Sequence, residues 1–593
     1  MNKENGEMNR CKSEVKACIE ECINLNQLEK ALDLIKEYEK SIKDDVDIFS
    51  MKSIVAIKEN RIGDAQKILS DALEISNDNF DIIYNMAYTY ELKGDVILAI
   101  KYYRRALEIC DKSSEMRDVI FYSLNQLNGK LEEDIKGKIT SIILLTYNNL
   151  EYTKLCIDSI RKYTNEGSYE IIIVDNASTD GTIEWLKEQK DIKVIFNDKN
   201  LGFPKGCNQG IDCAIGDNVL LLNNDTIVTP NWLKNLNIAL YSSEDIGAVG
   251  SVTNSCSNYQ TISFNYENTD DMIEFARRNN ISNPIQWEER IRLVGFCMLI
   301  RSSVINKIGV LDEIFTPGNY EDDDYSYRIR KAGYKLILCK DSFIHHFGSV
   351  SFKKNNNEYN AILNVNRNKF KNKWGFDPSY SSFTRYEIIN LIDEPIDKPI
   401  RVLEVGCACG ATLLEIKNRY RNAEIYGIEL NENAADIGKL IADIKAENIE
   451  NENLNYEENY FDYIIFADVL EHLYDPWKVL NNIKKYLKED GKILTSIPNV
   501  MHYSVIRNLL NGNWTYEDAG ILDRTHVRFF TLNEIGKMFI EAGYEIKEIN
   551  FTNIGASQED IDFMESLGKI CNNDVKNQYY AYQYIVRACK KNI

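Results

Sequence analysis

The segment VLLLNNDTIVTPNWL, residues 219–233, is a short apolar run that ends in two asparagines and an aspartate, followed by a proline turn. A continuous apolar run bounded by turn residues is typical of a strand buried inside a parallel sheet. Polar side chains that follow such a strand lie at the sheet edge where α/β proteins bind ligands. The segment therefore predicts an α/β fold, with Asn223, Asn224 and Asp225 at a ligand-binding edge.

Other strand-like runs surround this segment and alternate with helical patterns. They fall into two series. The first contains ITSIILLTY (139–147), YEIIIVD (169–175) and KVIFN (193–197); the second contains PIRVLEVGCACG (399–410), AEIYGIEL (423–430), FDYIIFADVL (461–470) and GKILTSIPN (491–499). Such alternation predicts parallel sheets covered by helices. We expect two α/β domains, at residues 137–380 and 385–593.

The N-terminal part of the chain has a helical pattern with an internal repeat. Small residues recur at 34-residue intervals at Ala31, Ala65 and Ala99, and larger apolar residues follow four positions later. This spacing forms one face of a helix, and the period resembles that of tetratricopeptide repeats. We expect residues 1–136 to form helical repeats and a capping helix. Such repeats present a concave surface for a protein partner.

The chain has 593 residues, too many for one hydrophobic core, so several domains are expected. Its net charge of −21 argues against a nucleic-acid-binding protein, which needs a basic face. No apolar run approaches the roughly 18 residues required to cross a bilayer. The sequence therefore predicts a cytoplasmic location and no transmembrane segment.

Five motifs of the first α/β block together resemble the family 2 glycosyltransferases of GT-A fold. They are TYNN (146–149), VDNASTDGT (174–182), NLGFPKGCNQG (200–210), LLLNNDTIVTPNWL (220–233) and YEDDDYSYR (320–328) with IHHFGSVSF (344–352) behind it. The resemblance implies a nucleotide-sugar donor. It assigns Thr146, Asn148 and Asp175 to the base and ribose of that donor.

A divalent cation is expected at this site because a diphosphate leaving group carries charge that no side chain neutralises efficiently. Asp225 matches the metal-binding acid of the family, and oxygen ligands suit Mg²⁺ or Mn²⁺. Asn223 stands where the family often has a first acid, and it can bind ribose or phosphate without charge. The resemblance implies a histidine ligand, which is His345 or His346; the spacing to Gly348 and Ser351 favours His346.

Four consecutive acids, residues 321–324, precede a helical pattern with Arg328 and Arg330. Neighbouring residues of a helix project about 100° apart, so these carboxylates do not all face one site. The resemblance assigns Asp322 as the general base that removes the acceptor proton, in a single displacement that inverts the anomeric centre. Glu321 and Asp324 would bind the acceptor or orient loops.

The second α/β block resembles the class I S-adenosylmethionine-dependent methyltransferases, through VLEVGCACG (402–410), the acid that ends YGIEL (426–430) and FDYIIFADVLEHLYDP (461–476). The resemblance implies cofactor binding by Glu404, Gly406, Gly410, Glu429 and Asp468. Glu429 would accept both ribose hydroxyls. The loop has alanine at position 408, where the family usually has glycine.

A methyl acceptor that is a hydroxyl or an amine needs a base, and His526 or His502 could serve. We therefore expect a bifunctional enzyme that transfers a sugar to a glycan or protein acceptor and methylates that glycan. The repeats would recruit the acceptor, for example flagellin. The alternatives are a surface-polysaccharide transferase with a lipid-linked acceptor, or a repeat scaffold with one inactive domain.

Overall fold

The computed structural model describes residues 2–256, 258–264, 266–348, 356–396, 398–451, 454–570 and 573–591. It divides into two compact units. The first unit comprises Met1–Glu288, Leu293–Val310 and Tyr334–Lys354, and the second comprises Glu289–Arg292, Leu311–Gly333 and Asn355–Ile593. The predicted domain limits are not the limits of these units, because residues 311–333 belong to the second unit. Part of the motif IHHFGSVSF, including Ser351, lies outside the described residues.

The first unit begins with consecutive helices. They are α1 (Asn2–Asn24), α2 (Leu28–Glu39), α3 (Val46–Lys58), α4 (Ile62–Ile75), α5 (Phe80–Lys93), α6 (Val96–Ile109) and α7 (Met116–Asp134). The repeated alanines Ala31, Ala65 and Ala99 are each fully buried. The small residues let α2, α4 and α6 approach their neighbours closely. The predicted helical N-terminal region is therefore confirmed, and α7 is the last helix of that region.

A nine-stranded sheet follows in the first unit. Its strands are β1 (Thr140–Thr146), β2 (Tyr169–Asp175), β3 (Ile192–Phe196), β4 (Asn218–Asn223), β5 (Thr226–Ile227), β6 (Ile246–Thr253), β7 (Trp287–Glu289), β8 (Cys297–Arg301) and β9 (Lys335–His346). The helices of this stretch of chain are α8 (Leu150–Tyr163), α9 (Thr182–Glu188), α10 (Phe203–Asp212), α11 (Trp232–Tyr241), α12 (Thr269–Asn279), α13 (Ser302–Ile308) and α14 (Glu321–Lys331), of which α14 belongs to the second unit.

The strand order of this sheet is β3-β2-β1-β4-β8-β6-β9-β5, with β7 beside β9. The first four strands are parallel, and their register aligns Thr146 with Asp175 and Leu145 with Asn223. Three predicted donor-binding positions therefore end adjacent strands at one edge. The same edge receives the end of β9, because the short β5 pairs Thr226 with His346.

The second unit contains a seven-stranded sheet of order β12-β11-β10-β13-β14-β16-β15. Its strands are β10 (Ile400–Val405), β11 (Ala423–Glu429), β12 (Asp443–Ala446), β13 (Phe461–Ala467), β14 (Leu487–Pro498), β15 (Tyr544–Thr552) and β16 (Gln583–Lys590). Its helices are α15 (Asn356–Trp374), α16 (Pro378–Ser381), α17 (Tyr386–Ile389), α18 (Ala411–Arg419), α19 (Glu432–Gly438), α20 (Pro476–Ile483), α21 (Tyr503–Leu510), α22 (Leu532–Glu541) and α23 (Gln558–Ile570).

The five neighbouring strands β12, β11, β10, β13 and β14 are parallel to one another. Strand β16 lies between β14 and β15 and is antiparallel to both. Each predicted strand-like run forms a strand of one of the two sheets, so the predicted class of helical repeats followed by two α/β domains is confirmed. The apolar runs form buried strands: successive residues, which point to opposite faces of a sheet, are buried in 142–144 and in 464–466. Within the described part of the chain, no helix has the length and apolar character to cross a membrane.

Candidate functional site

The carboxyl ends of β1 and β2 hold a buried polar pair. The hydroxyl of Thr146 donates to Oδ1 of Asp175 at 3.0 Å, and the backbone N–H of Ser178 donates to Oδ2 at 3.0 Å. Thr146 and Asp175 are both fully buried. The carboxylate is therefore fixed in orientation, and each oxygen retains a further lone pair that can accept a hydrogen bond from a ligand.

Asn148 follows this pair in a left-handed conformation, with φ 59°. Its backbone N–H donates to the hydroxyl of Ser178 at 2.7 Å, and its side-chain oxygen accepts the N–H of Thr179 at 2.8 Å. Asparagine tolerates this conformation better than most residues. The two loops after β1 and β2 are thus tied together, and the predicted donor residues Thr146, Asn148 and Asp175 are neighbours.

A network of amide side chains lies beside these loops, and its roles were not assigned from the sequence. Asn197 donates to Oδ1 of Asn176 at 2.9 Å and to Oε1 of Gln209 at 2.8 Å, while Asn176 donates to Asn200 at 3.2 Å. These residues come from the motifs VDNASTDGT and NLGFPKGCNQG and the end of β3. The recurrence of asparagine after successive strands was the available signal.

The two asparagines after β4 have different surroundings. The amide of Asn224 donates to the hydroxyl of Thr153 in α8 at 3.0 Å. The amide nitrogen of Asn223 instead lies 3.4 Å from Nε2 of His346. Asn223 is therefore at the ligand edge together with Asp225, whereas Asn224 anchors the turn to the helix behind it.

Asp225 and His346 are in direct contact. Oδ1 of Asp225 lies 3.2 Å from Nε2 of His346, and both residues are 8% exposed. The backbone N–H of Phe347 also donates to the carbonyl of Asp225 at 3.0 Å, which holds the two loops together. The predicted metal ligands are thus adjacent, and one carboxylate with one imidazole is a donor set that divalent cations accept.

The orientation of His346 suits a metal ligand. Its Nδ1 lies 2.8 Å from the carbonyl of Ser255 and must donate to it, which leaves the Nε2 lone pair of the neutral ring directed at Asp225. Two lone pairs facing each other require a proton or a cation between them. Burial lowers the pKa of His346, but the hydrogen bond and charge of Asp225 outweigh burial and raise that pKa. Gly348 has φ 75°, a conformation that favours glycine, and a Cβ on it would lie 2.6 Å from Oγ of Ser255.

His345, the alternative ligand, has a different environment. Its Nδ1 forms a hydrogen bond with the hydroxyl of Tyr266, and its ring meets that of Phe347 edge to face. Burial and the neighbouring His346 lower the pKa of His345 to about 4. A neutral histidine in an aromatic setting fits a structural role, so the geometry agrees with the preference for His346.

The four acids before Arg328 form the first turn of α14 and not a loop before it, because Tyr320, with φ 72°, ends the preceding segment. Acids are favoured there by the positive end of the helix dipole. Asp323 is buried and pairs with Arg292. Asp322 is half-buried and accepts the N–H of Asp323 at 3.0 Å.

The other two acids are buried as well. Asp324 is fully buried and bonds Arg328 at 2.9 Å, the indole of Trp374 at 2.9 Å and Lys373 at 2.6 Å. Those contacts give Asp324 a structural role. Burial and the charge of Asp322 raise the pKa of the Glu321 carboxyl well above its ordinary value. Among the four acids, Asp322 is the most accessible and the only one that is not buried.

In the second unit, the loop after β10 is built from left-handed residues. Gly406, Ala408 and Gly410 have φ of 69°, 48° and 82°. A Cβ on Gly406 would lie 2.6 Å from Cγ2 of Val469, so the close approach of the neighbouring loop requires glycine. Ala408 adopts the same region with a side chain, which the backbone tolerates at a cost of about 1 kcal/mol.

Glu429 ends β11 beside that loop. Its Oε2 accepts the N–H of Ala408 and its Oε1 accepts the N–H of Asn431, each at 2.7 Å. The carboxylate is thereby fixed at the strand end, and its role in ribose binding stays a prediction.

Glu404, near the end of β10, is 3% exposed. Burial raises the pKa of its carboxyl to about 8, although the charge of Arg385 and a hydrogen bond from Thr412 oppose the shift. One of its oxygens, Oε2, has no hydrogen-bond partner among the described residues. A buried carboxyl with an unused oxygen fits a ligand that brings its own donor or positive charge.

Asp468 follows β13 in a left-handed conformation, with φ 53°. Its Oδ1 accepts the hydroxyl of Ser496 at 2.7 Å and the amide of Gln583, and its Oδ2 pairs with Arg385. The predicted cofactor residues Glu404 and Asp468 thus share Arg385 as a neighbour.

The two histidines considered as bases are both buried. His526 donates from Nδ1 to the carbonyl of Ile521 at 2.9 Å, and its Nε2 lies 3.9 Å from Oε1 of Glu471. His502 is fully buried, with Nδ1 2.8 Å from the hydroxyl of Ser504, and burial lowers its pKa to about 4. His526 therefore faces a carboxylate, whereas His502 caps α21.

Two family models match the chain. The model described as Glycosyl transferase family 2 matches residues 141–309, and the model described as Methyltransferase domain matches residues 380–549. The chain therefore contains a family 2 glycosyltransferase domain followed by a class I methyltransferase domain, and the predicted resemblances are confirmed.

Curated relatives match one domain or the other. An uncharacterized glycosyltransferase of Haemophilus influenzae is 35% identical over 117 residues, 19% of this chain and 36% of that protein. A low-salt glycan biosynthesis hexosyltransferase of Haloferax volcanii is 26% identical over 238 residues, 39% of this chain and 74% of that protein. A ubiquinone biosynthesis O-methyltransferase of Neisseria meningitidis is 26% identical over 211 residues, 34% and 87% of the two chains. The chain spans about a third of the length of the Haemophilus protein.

Proposed function

We propose that this protein is a bifunctional enzyme that transfers a sugar from a nucleotide-sugar donor to a glycan or protein acceptor and methylates that glycan with S-adenosylmethionine. The observation that carries the proposal is the pair of Asp225 and His346 at the ligand edge of the first sheet, 3.2 Å apart and both buried. A carboxylate and an imidazole lone pair converging at a donor-binding edge are suited to a metal-dependent transferase.

In the sugar-transfer reaction, Thr146, Asn148 and Asp175 would hold the base and ribose of the donor. Asp225 and His346 would hold Mg²⁺ or Mn²⁺, which when bound supplies positive charge for the departing diphosphate. Asn223 is placed to donate a hydrogen bond at the same edge. Asp322 would accept the proton of the acceptor hydroxyl, and a single displacement would invert the anomeric centre.

In the methyl-transfer reaction, Gly406 and Gly410 would let the backbone approach S-adenosylmethionine, which supplies the methyl group. The unpartnered oxygen of Glu404 would accept a hydrogen bond from the cofactor. Glu429 would bind the ribose, and Asp468 would fix the neighbouring turn. Hydrogen bonds fix Asp175 in the first domain and Glu429 in the second at the ends of their strands, which favours two active domains over a repeat scaffold with an inactive one.

The helical repeats would recruit the acceptor. Helix α5 exposes Tyr88 and Leu92, and α7 exposes Phe121 and Tyr122. Exposed apolar and aromatic side chains of this kind favour a protein acceptor. Flagellin is one such acceptor. The alternative acceptor is a lipid-linked surface polysaccharide, whose recruitment does not require protein-binding repeats. Binding of the full chain to unmodified flagellin, compared with a Tyr122→Ala and Leu92→Ala variant, separates the two.

The proposal is tested by separating the two activities in the full chain. Donor hydrolysis is measured over a panel of nucleotide sugars with Mn²⁺, and S-adenosylmethionine binding is measured by calorimetry. Asp225→Ala should abolish hydrolysis and leave cofactor binding intact, and Glu429→Ala should do the reverse. No hydrolysis and no binding by the unaltered protein would leave the scaffold, and loss of both in either variant would indicate one composite site.

A further inference from the structure

Glu471 is a buried carboxylate that the functions above do not use. It lies three residues after Asp468 in the turn that follows β13, and it is 1% exposed. Neither of its oxygens has a hydrogen-bond partner among the described residues. A buried carboxylate is stable only with a proton, a cation or donors around it, so this position calls for a positively charged partner.

Two histidines converge on the same point. The backbone N–H groups of Val527 and Arg528 donate to the carbonyl of Glu471 at 2.9 and 3.0 Å, which holds the segment before them, with His526, against this turn. The ring of His472 meets the ring of His526 at 4.7 Å between centroids. One ligand atom each from Glu471, His472 and His526 lies within 4.8 Å of the others.

Both imidazoles are held by backbone carbonyls. Nδ1 of His526 donates to the carbonyl of Ile521 at 2.9 Å. Nδ1 of His472 lies 3.2 Å from the carbonyl of Thr525 and 3.3 Å from its hydroxyl; because that hydroxyl donates to Asp523 at 2.6 Å, Nδ1 of His472 donates to the carbonyl. Because Nδ1 carries the proton in each ring, the Nε2 lone pairs are left to bind a ligand. This is the arrangement that His346 has opposite Asp225, with a second histidine added.

We propose that Glu471, His472 and His526 bind a first-row divalent metal ion. Two imidazoles and one carboxylate suit Mn²⁺, Fe²⁺, Co²⁺, Ni²⁺ or Zn²⁺ better than Mg²⁺, which prefers oxygen ligands alone. Three protein ligands leave coordination positions open for an exogenous molecule. His526 is then a metal ligand and not the general base.

The open positions suggest a role, which rests on the proposed methyltransferase function. Asp468, a proposed cofactor residue, lies on the same turn as Glu471, so the metal would be close to the cofactor. An oxygen-bearing acceptor, such as a sugar hydroxyl, would bind the metal and be held beside the cofactor. The acceptor of the methyl group is thus assigned to the class of hydroxyl compounds that bind a divalent cation.

The test uses the full chain with Asp225→Ala and His346→Ala, so that the proposed glycosyltransferase metal site is removed. This double variant is the parent into which the further substitutions are introduced. Co²⁺ is titrated by calorimetry and by its visible ligand-field absorption, which changes with the coordination number and geometry of the bound ion. One equivalent should bind. Glu471→Gln and His526→Ala should each lower the affinity by about 100-fold or more, because loss of a direct ligand exceeds the 10- to 100-fold effect of outer partners.

His472→Ala is a further ligand variant. Position 472 should tolerate substitution better than the other two, because His472 is the only one of the three proposed ligands that is not buried. His502→Ala is the matched control, a histidine of the same unit outside the cluster, and should bind Co²⁺ as the parent does. Thermal unfolding confirms that each variant is folded. Equal Co²⁺ binding by all variants, or no binding by the parent, overturns the metal site.

Failure of the metal site and failure of methyl transfer give different results. A parent that binds S-adenosylmethionine but no Co²⁺ retains the proposed function and refutes the metal site. A parent that binds Co²⁺ at these three residues but no S-adenosylmethionine retains the metal site and refutes its role in acceptor binding.

Discussion

Nε2 of His346 lies 3.2 Å from Oδ1 of Asp225, although 121 residues separate them in the chain. The contact exists because β5 turns directly out of the Asp225 loop and pairs with the end of β9, which sets His346 opposite Thr226. Residues that neighbour each other through a strand pairing of this kind have a fixed separation, so the pair is preorganised before any donor binds.

The first prediction concerns the two adjacent histidines. His346→Ala should raise the Mn²⁺ concentration for half-maximal donor hydrolysis by at least about 10-fold, about as much as Asp225→Ala, because each removes one metal ligand. His345→Ala is the matched control and should leave the Mn²⁺ dependence unchanged, since Nδ1 of His345 bonds Tyr266. An equal loss in both histidine variants would show that His345 contributes to metal binding.

The second prediction compares adjacent carboxylates of α14. Asp322→Asn should lower sugar transfer by about 100-fold or more, as expected for loss of a general base, with thermal stability retained. Asp323→Asn should destabilise the fold by about 3 kcal/mol, because it removes the charge of the buried carboxylate that pairs with Arg292. Transfer is assayed below the unfolding midpoint of both. A fully active Asp322→Asn variant would exclude Asp322 as the base.

The fold was predictable from the sequence because each strand is a short apolar run whose period and boundaries are local properties. The 34-residue repeat could also be recognised from the sequence, since alanine recurs at the buried face of α2, α4 and α6. The strand-end positions of Thr146, Asp175 and Asn223 followed from parallel pairing, which places the carboxyl ends of strands at one edge.

The contacts around His472 and within the first turn of α14 were not predictable. Nothing local to His472 indicates that His526 lies beside it, because the contact depends on how the segment before α22 folds back on the turn after β13. Which of the four acids of α14 have structural contacts also depends on residues distant in the sequence: Arg292 pairs with Asp323, and the indole of Trp374 donates to Asp324. The contact between Asp225 and His346 was expected only because the family resemblance implied it, and no such pattern marks these other long-range contacts.

The third prediction concerns the glycine loop. Gly410→Ala should cost about 1 kcal/mol of stability, the cost of a left-handed alanine, because its Cβ would be no closer than 3.5 Å to Ile444. Gly406→Ala should cost clearly more and weaken S-adenosylmethionine binding, because its Cβ would also meet Val469 at 2.6 Å. In a Val469→Ala background the difference between the two glycine variants should shrink. An unchanged difference would mean that the steric contact is not the cause.

The fourth prediction uses the raised pKa of Glu404. Between about pH 4.5 and about pH 8, the folded protein holds a proton on Glu404 that the unfolded chain has lost. Because the folded state binds more protons in this range, this group makes the folded state less stable as the pH rises, by up to about 1.4 kcal/mol per pH unit. Glu404→Gln removes the dependence, so the unfolding midpoint of the variant should rise relative to the unaltered protein from pH 5 to pH 8. The exposed Glu458→Gln variant is the control and should follow the unaltered protein, whereas a Glu404→Gln variant with the same pH dependence as the unaltered protein would show that Glu404 is ionised in the fold.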